Sequence, residues 1–391
     1  MVPHGGTAVV IWLLAAGACL AAWLALIFGR GFFWLARERD DRGPAPPIPP
    51  RWPSVIAVVP ARDEVDVIAR SIGSLLDQDY PGDFRVILVD DDSGDGTAAA
   101  ARAVAAGERL DIVAGRPLAP GWTGKLWAVQ QGIARATTAG APDFLLLTDA
   151  DIAHAPDNLR RLVARAEAGD LALVSLMARL TVETGAERMM IPAFVFFFAM
   201  LFPFRWVADP RRGTAAAAGG CMLVRREALE AAGGVEAIRA SIIDDCALAA
   251  RLKTRGPIWL GLTGRAHSLR PYTGFAEIGR MISRSAYAQL GYSPGLLAGT
   301  ILGMGIVFVA GPAAAVFGVG AARLVGLAAW LAMALAFQPM LRFYRVSPLW
   351  GVAQPAIGAL YTLFTIRSAV QVWGGRGGLW KGRPQAMGAT S

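Results

Sequence analysis

The chain has 391 residues, of which 54% are hydrophobic and only 17% charged, with a mean hydropathy of +0.43. A soluble domain carries roughly a quarter charged residues, so the composition excludes a disordered chain and indicates a membrane protein or a soluble domain with membrane segments attached. The net charge of +8 suits nucleic acid, anionic lipid or an anionic small substrate, whereas three scattered cysteines and three histidines give no support to a disulfide framework or a histidine-rich metal centre.

Residues 7–28 form an uncharged run long enough to cross the hydrocarbon core as a helix. No basic segment precedes it and no small-residue cleavage site succeeds it, so residues 1–30 read as an uncleaved anchor. Arg30, Arg37, Arg39, Arg42 and Arg51 come next, and the positive-inside rule places the chain after residue 30 in the cytoplasm. The basic, proline-rich stretch 31–53 is expected to be a stiff linker.

Residues 54–291 hold most of the charge. Apolar strands at 54–59, 85–90, 110–113 and 144–149 alternate with helical stretches at 65–76 and near 125–136. Such alternation predicts an α/β domain with a mostly parallel sheet covered on both faces. No GxGxxG comes after the first strand and no P-loop motif occurs, which removes support for dinucleotide redox chemistry and P-loop hydrolysis. The apolar stretch 188–206 is expected to lie in the membrane interface or line a lipid entrance; the alternative is a core helix packed on the sheet. Residues 292–372 then read as about three membrane helices, near 296–320, 324–341 and 349–366, before a basic tail at 373–391. Three crossings would put Arg376, Lys381 and Arg383 outside, against the positive-inside rule, unless the segment containing Pro355 is re-entrant.

Three acid clusters carry the chemistry. Asp90, Asp91 and Asp92 end the second strand; a calcium loop fails there because its twelfth position is Arg102 and it comes after a strand. Asp149 and Asp151 close the most hydrophobic strand, and in extended backbone positions i and i+2 face one side, so both carboxylates are expected to face one Mg²⁺ or Mn²⁺ ion. Asp244 and Asp245 open a helix, preceded by Gly219 and Gly220, which let backbone approach a ligand closely.

These clusters, in this order, resemble those of the inverting glycosyltransferases of family 2, with their GT-A fold. The resemblance covers residues 54–290 and implies nucleotide binding by Pro60, Ala61, Arg62, Glu64, Asp90 and Asp91, with Glu64 and Asp91 on the base and ribose. It implies that Asp149 and Asp151 hold a divalent cation at the donor diphosphate, that Lys125 and Arg284 pair with phosphate, and that Asp245, beside Asp244, is the general base. His267 is a further metal or phosphate contact or a structural histidine. The expected donor is a UDP-sugar, the partners are a membrane lipid acceptor and the bilayer, and nucleic acid is not needed. The motifs Pro192-Ala193-Phe194, Ala217 to Cys221, Ile243 to Cys246 and 281–289 are similar to the hopene-associated glycosyltransferases, which implies a hydroxylated polycyclic lipid as acceptor and the inner membrane as location. The rivals are a polyprenyl-phosphate sugar transferase, a processive polysaccharide synthase, disfavoured because Met281 and Ser285 replace a Gln and a Trp, and a non-catalytic membrane scaffold or transporter.

Overall fold

The computed structural model describes residues 4–104, 108–375 and the short strand pair Leu379–Trp380 and Arg383–Pro384. Arg376 and Lys381 of the predicted tail lie outside the described residues. The chain forms two compact units: a helical one built from Met1–Arg37, Val182–Pro203 and Tyr272–Gly377, and an α/β one built from Glu38–Thr181, Phe204–Pro271 and Gly378–Ser391.

The α/β unit is built on an eight-stranded sheet: β1 (Val55–Ala61), β2 (Phe84–Asp90), β3 (Leu110–Ala114), β4 (Phe144–Leu147), β5 (Ile152–His154), β6 (Leu173–Arg179), β7 (Met222–Arg225) and β8 (Ile258–Ser268), in the order β3-β2-β1-β4-β7-β6-β8-β5. The half formed by β3, β2, β1 and β4 is parallel, as the alternation of apolar strands and helices predicts. Beyond β4 the sheet is mixed: β7 runs antiparallel to β4 and β6, β6 and β8 are parallel, and β5 is antiparallel to β8. All seven residues of β1 are buried, and the helices Val65–Leu76, Gly124–Thr138 and Asn158–Ala168 present their apolar sides to the core. Because β4 pairs with β1 only from Val55 to Val58, Pro60 lies where β1 has lost that neighbour, and its missing N–H leaves no unmade ladder bond there.

The first part of the predicted linker is tied to the sheet. Leu262 N–H donates to Glu38 O at 2.9 Å and Asp40 N–H to Leu262 O at 3.0 Å, so this segment adds to β8. The buried Asp40 carboxylate is held by Thr263 Oγ1 at 2.8 Å and Arg265 Nη1 at 3.1 Å.

Among the described residues of the helical unit, three helices are long and apolar enough to cross a membrane: Thr7–Gly29, Pro294–Phe317 and Ala321–Tyr344. The second contains a π-helical turn, Gly305–Ala310, two residues before Pro312. Proline cannot give its N–H to the preceding turn, and a wide turn frees carbonyls; Val307 O accepts from Trp23 Nε1 at 2.7 Å. The helix Gln354–Trp373 carries Gln354, Thr362, Thr365, Arg367 and Ser368 and is not among the three. Its packing includes polar contacts, Tyr361 Oη donating to Met190 O at 3.0 Å and Tyr287 N–H to Ser368 Oγ at 3.0 Å.

The stretch 188–206 is mostly helical. Its helix, Gly185–Leu201, belongs to the helical unit rather than to the α/β domain, and Ile191, Ala193, Val195 and Phe196 are fully buried. Phe196 packs on Phe33 and Phe337, and Phe197 on Phe308 and Tyr361. A capping box of Thr184 and Glu187 starts the helix, and buried Glu187 also accepts the Tyr272 N–H at 2.8 Å. Other helices thus cover much of this apolar run, while Leu201 stays exposed.

Candidate active site

The carboxyl ends of β1, β2 and β4, where ligands of parallel sheets bind, gather most of the predicted residues. Pro60, Lys125, Thr148, Asp149, Gly219 and Asp244 line one cleft. Lys125, in the first turn of the helix Gly124–Thr138 whose N-cap is Thr123, places Nζ 2.9 Å from Asp149 Oδ1 and 3.1 Å from Asp244 Oδ2. One cation therefore bridges two of the acid clusters. Burial works against its charge, but Asp149 and Asp244 outweigh burial and hold the ammonium above the ordinary lysine range.

Asp244 and Asp245 are the first two residues of the helix Asp244–Leu252, where carboxylates complement the exposed N–H groups. Asp245 Oδ2 accepts the Gly219 N–H at 3.0 Å and Oδ1 the Cys246 N–H at 2.7 Å. A Cβ on Gly219 would lie 3.2 Å from Lys125 Nζ and 3.7 Å from Asp245 Cβ, which is the close approach that glycine permits. Burial, and then the neighbouring charge of Asp244, push Asp245 up to about 6, partly offset by Lys125. A carboxylate so raised, fixed by two N–H donors at the rim of a cleft, is suited to taking a proton near neutral pH.

Asp149 and Asp151 do not lie in extended backbone. They occupy a tight turn between β4 and β5, closed by the Ile152 N–H on Asp149 O at 3.2 Å. The i, i+2 argument therefore fails, yet the turn still brings the two charges together: burial, then Asp149 and Glu64, raise Asp151 to about 6, against the pull of Arg270. Arg270 pairs with Glu64 and lies 3.8 Å from Asp151 Oδ2. Nothing in the spacing of the sequence identifies Arg270, which the chain reverses to deliver only after β8.

Part of the predicted nucleotide-binding set is engaged internally. Glu64 is held by Arg270, and Asp91, only 1% exposed, lies beneath Arg62, which donates to Asp91 O and to Asp92 O at 3.3 Å. Asp90 Oδ1 accepts the Ser93 N–H, and the loops after β1 and β2 interlock through Asp63, Ser93, Asp95 and Thr97. Ala61 is fully buried, and Gly220 packs against Ile152 and Ala178. Arg284 belongs to the helical unit, at the end of the helix Phe275–Ser283. His267 stands exposed on β8, opposite Ala153, with Arg70 and Arg179 as its charged neighbours, and makes no contact with the acids among the described residues.

Asp149 and Asp151 fit a divalent cation by their chemistry: two hard oxygen donors whose mutual repulsion an ion relieves. Among the described residues no group of three or more His, Cys, Asp or Glu is arranged to hold a metal. The remaining ligands would come from substrate phosphates and water, as for Mg²⁺ sites in general.

The fold is GT-A, the α/β architecture of nucleotide-diphospho-sugar transferases, with a mixed sheet and apolar helices at both ends of the chain. Residues 56–233 match the family described as Glycosyl transferase family 2. The structure is similar to that of the mannosyltransferase PcManGT from Pyrobaculum calidifontis in complex with GDP-Man and Mn²⁺, with 21% identity and a TM-score of 0.57, covering 93% of this chain and 99% of that one. Glucosyl-3-phosphoglycerate synthase from Mycobacterium tuberculosis in complex with Mn²⁺ and UDP-Glc matches with 22% identity and a TM-score of 0.41 over 61% of this chain and 78% of that one. No curated protein sequence matches the chain significantly.

Proposed function

We propose that the chain is a membrane-bound inverting glycosyltransferase that moves one sugar from a nucleotide-diphosphate sugar to a lipid hydroxyl. The observation that carries this reading is the Asp245 carboxylate, fixed by the Gly219 and Cys246 N–H groups beside the Lys125 bridge to Asp149. Asp245 takes the acceptor hydroxyl proton, the freed oxygen attacks the anomeric carbon from the face opposite the diphosphate, and the carbon–oxygen bond to the diphosphate breaks. Lys125 lies where it can exchange an aspartate for a phosphate oxygen. Asp149 and Asp151 would hold a divalent cation, which supplies charge neutralisation to the departing diphosphate.

The lipid acceptor is supported by the three apolar helices carried on the same chain, and a hydroxylated polycyclic lipid of the hopanoid type by the motifs around Ala193, Cys221 and Asp245. Three crossings with Arg30 and Arg37 after the first and Arg342 and Arg345 at the end of the third put all of these arginines on one side. The positive-inside rule makes that side the cytoplasm. The test is mass spectrometry of lipids after incubation of membranes containing the chain with a panel of nucleotide sugars. A new polycyclic glycolipid is expected. A polyprenol carrying sugar phosphate would replace the acceptor, and no sugar-bearing product from any donor would overturn the reading.

A further inference from the structure

Four residues of the α/β unit, Asn158, His154, Thr148 and Gly220, form a hydrogen-bonded line beneath the cleft. Asn158 Nδ2 is 2.9 Å from His154 Nδ1, His154 Nε2 is 3.0 Å from Thr148 Oγ1, and Thr148 Oγ1 is 2.7 Å from Gly220 O. The side chains of His154, Thr148 and Asn158 are buried, at 4%, 2% and 1% exposure. The last of these contacts sets the direction of the other two. A carbonyl oxygen only accepts, so Thr148 spends its single proton on Gly220. The contact to His154 Nε2 then requires the imidazole to donate, and its Nδ1 is left bare to accept from the Asn158 amide. Turning that amide round would set its oxygen against the bare nitrogen, so Asn158 keeps its orientation although Oδ1 finds no partner among the described residues. Burial, and then the charge of His267, push His154 down to about 4, which agrees with a neutral ring.

Two members of the line, Thr148 and Gly220, adjoin the site. Thr148 immediately precedes Asp149, and its own N–H is tied to Val58 O at 3.3 Å. Gly220 is one peptide from the Gly219 N–H that holds Asp245 Oδ2. We infer that His154, held as the neutral tautomer protonated at Nε2, is a positioning residue for sugar transfer, fixing through Thr148 and Gly220 both the turn that bears Asp149 and the backbone that holds Asp245. This inference rests on the transferase reading.

Two variants of the full chain in lipid nanodiscs separate this role from simple packing. His154→Gln places an amide N–H near the position of Nε2, whereas His154→Phe keeps the ring shape and removes the donor. The expected result is a fall in kcat on the order of 10²-fold for His154→Phe, with acceptor KM unchanged, and recovery to within about tenfold of wild type in His154→Gln, since misplacement of about 1 Å has that effect. A packing role ranks the two the other way, because phenylalanine is nearer in shape, and that ranking would overturn the inference. If His154→Phe does not fold, Thr148→Val and Thr148→Ser break and keep the same relay, and equal rates in those two would also overturn it. Nitrogen-15 shifts of the wild-type imidazole should show a proton on Nε2 alone; a proton on Nδ1 refutes the tautomer whatever the activity. No transfer by the wild-type chain would instead sink the transferase reading itself.

Discussion

Replacing Asp245 by asparagine isolates the proton-transfer role, because the shape is kept and only the base and one acceptor oxygen are lost. In the wild type each carboxylate oxygen takes one backbone N–H, from Gly219 at 3.0 Å and Cys246 at 2.7 Å. Asparagine has one oxygen, so one of these donors loses its partner, at a cost of about 1–3 kcal/mol. Against that stands the cost of the ionised acid. Its folded pKa of about 6 lies above the ordinary 3.8, so at neutral pH the charge destabilises the fold, and that penalty fades as pH falls from about 6 toward 3.8. That penalty is at most about 3 kcal/mol, and less where water reaches this half-buried side chain. The two effects nearly cancel, and Asp245→Asn should melt within a few degrees of wild type at pH 7.5. Turnover should nevertheless fall about 10²–10⁴-fold, the usual contribution of a general base. Steady-state transfer to lipid, with donor binding measured separately by calorimetry, checks both. Turnover within about tenfold of wild type would refute the assignment of Asp245 as base, and loss of donor binding would move its role to the donor.

Four further outcomes are expected. The rate should rise with pH through about 6 and fall steeply below it, because Asp245 and Asp151 are both raised to about 6 and both act ionised; a profile flat from pH 5 to 8 would contradict this. Gly219→Ala sets a methyl 3.2 Å from Lys125 Nζ, so Lys125 is displaced and kcat/KM for the donor should drop about tenfold or more with little change in melting temperature, measured by initial rates. Chelation with EDTA should stop transfer and Mn²⁺ or Mg²⁺ should restore it; full activity in EDTA would remove the metal role from Asp149 and Asp151. In the helical unit, a Cβ on Gly326 would lie 2.5 Å from Gly311 O and 2.6 Å from Ala315 N, both backbone, so Gly326→Ala should cost about 1–3 kcal/mol and lower the aggregation temperature in detergent.

Much of this fold is local information. The strand Val55–Ala61 and the helix Val65–Leu76 are legible because burial on both faces demands an unbroken apolar run in one and a 3.6-residue period in the other. The mixed half of the sheet was not legible as a whole, since β5 has three residues and β7 four, too short to show a period. His154 was visible three residues after Asp151, but a lone histidine gives no direction to its hydrogen bonds until Gly220, sixty-six positions later, supplies an acceptor. For Arg270 there was no signal at all, because its partners Glu64 and Asp151 are distant in sequence.

Composition and order of motifs by themselves determined that this chain joins apolar helices to an α/β domain with acids at its strand ends, because hydrophobic period and charge clustering are properties of neighbouring residues. Only tertiary structure decided which acids meet. Lys125 brings Asp149 to Asp244 across about a hundred residues, Gly219 brings its N–H to Asp245, and the helix Gly185–Leu201, apolar enough to suggest a membrane surface, is buried among other helices. An apolar run states that water must be excluded, and a charged residue that a partner is needed; which group does either is set by the path of the chain in space.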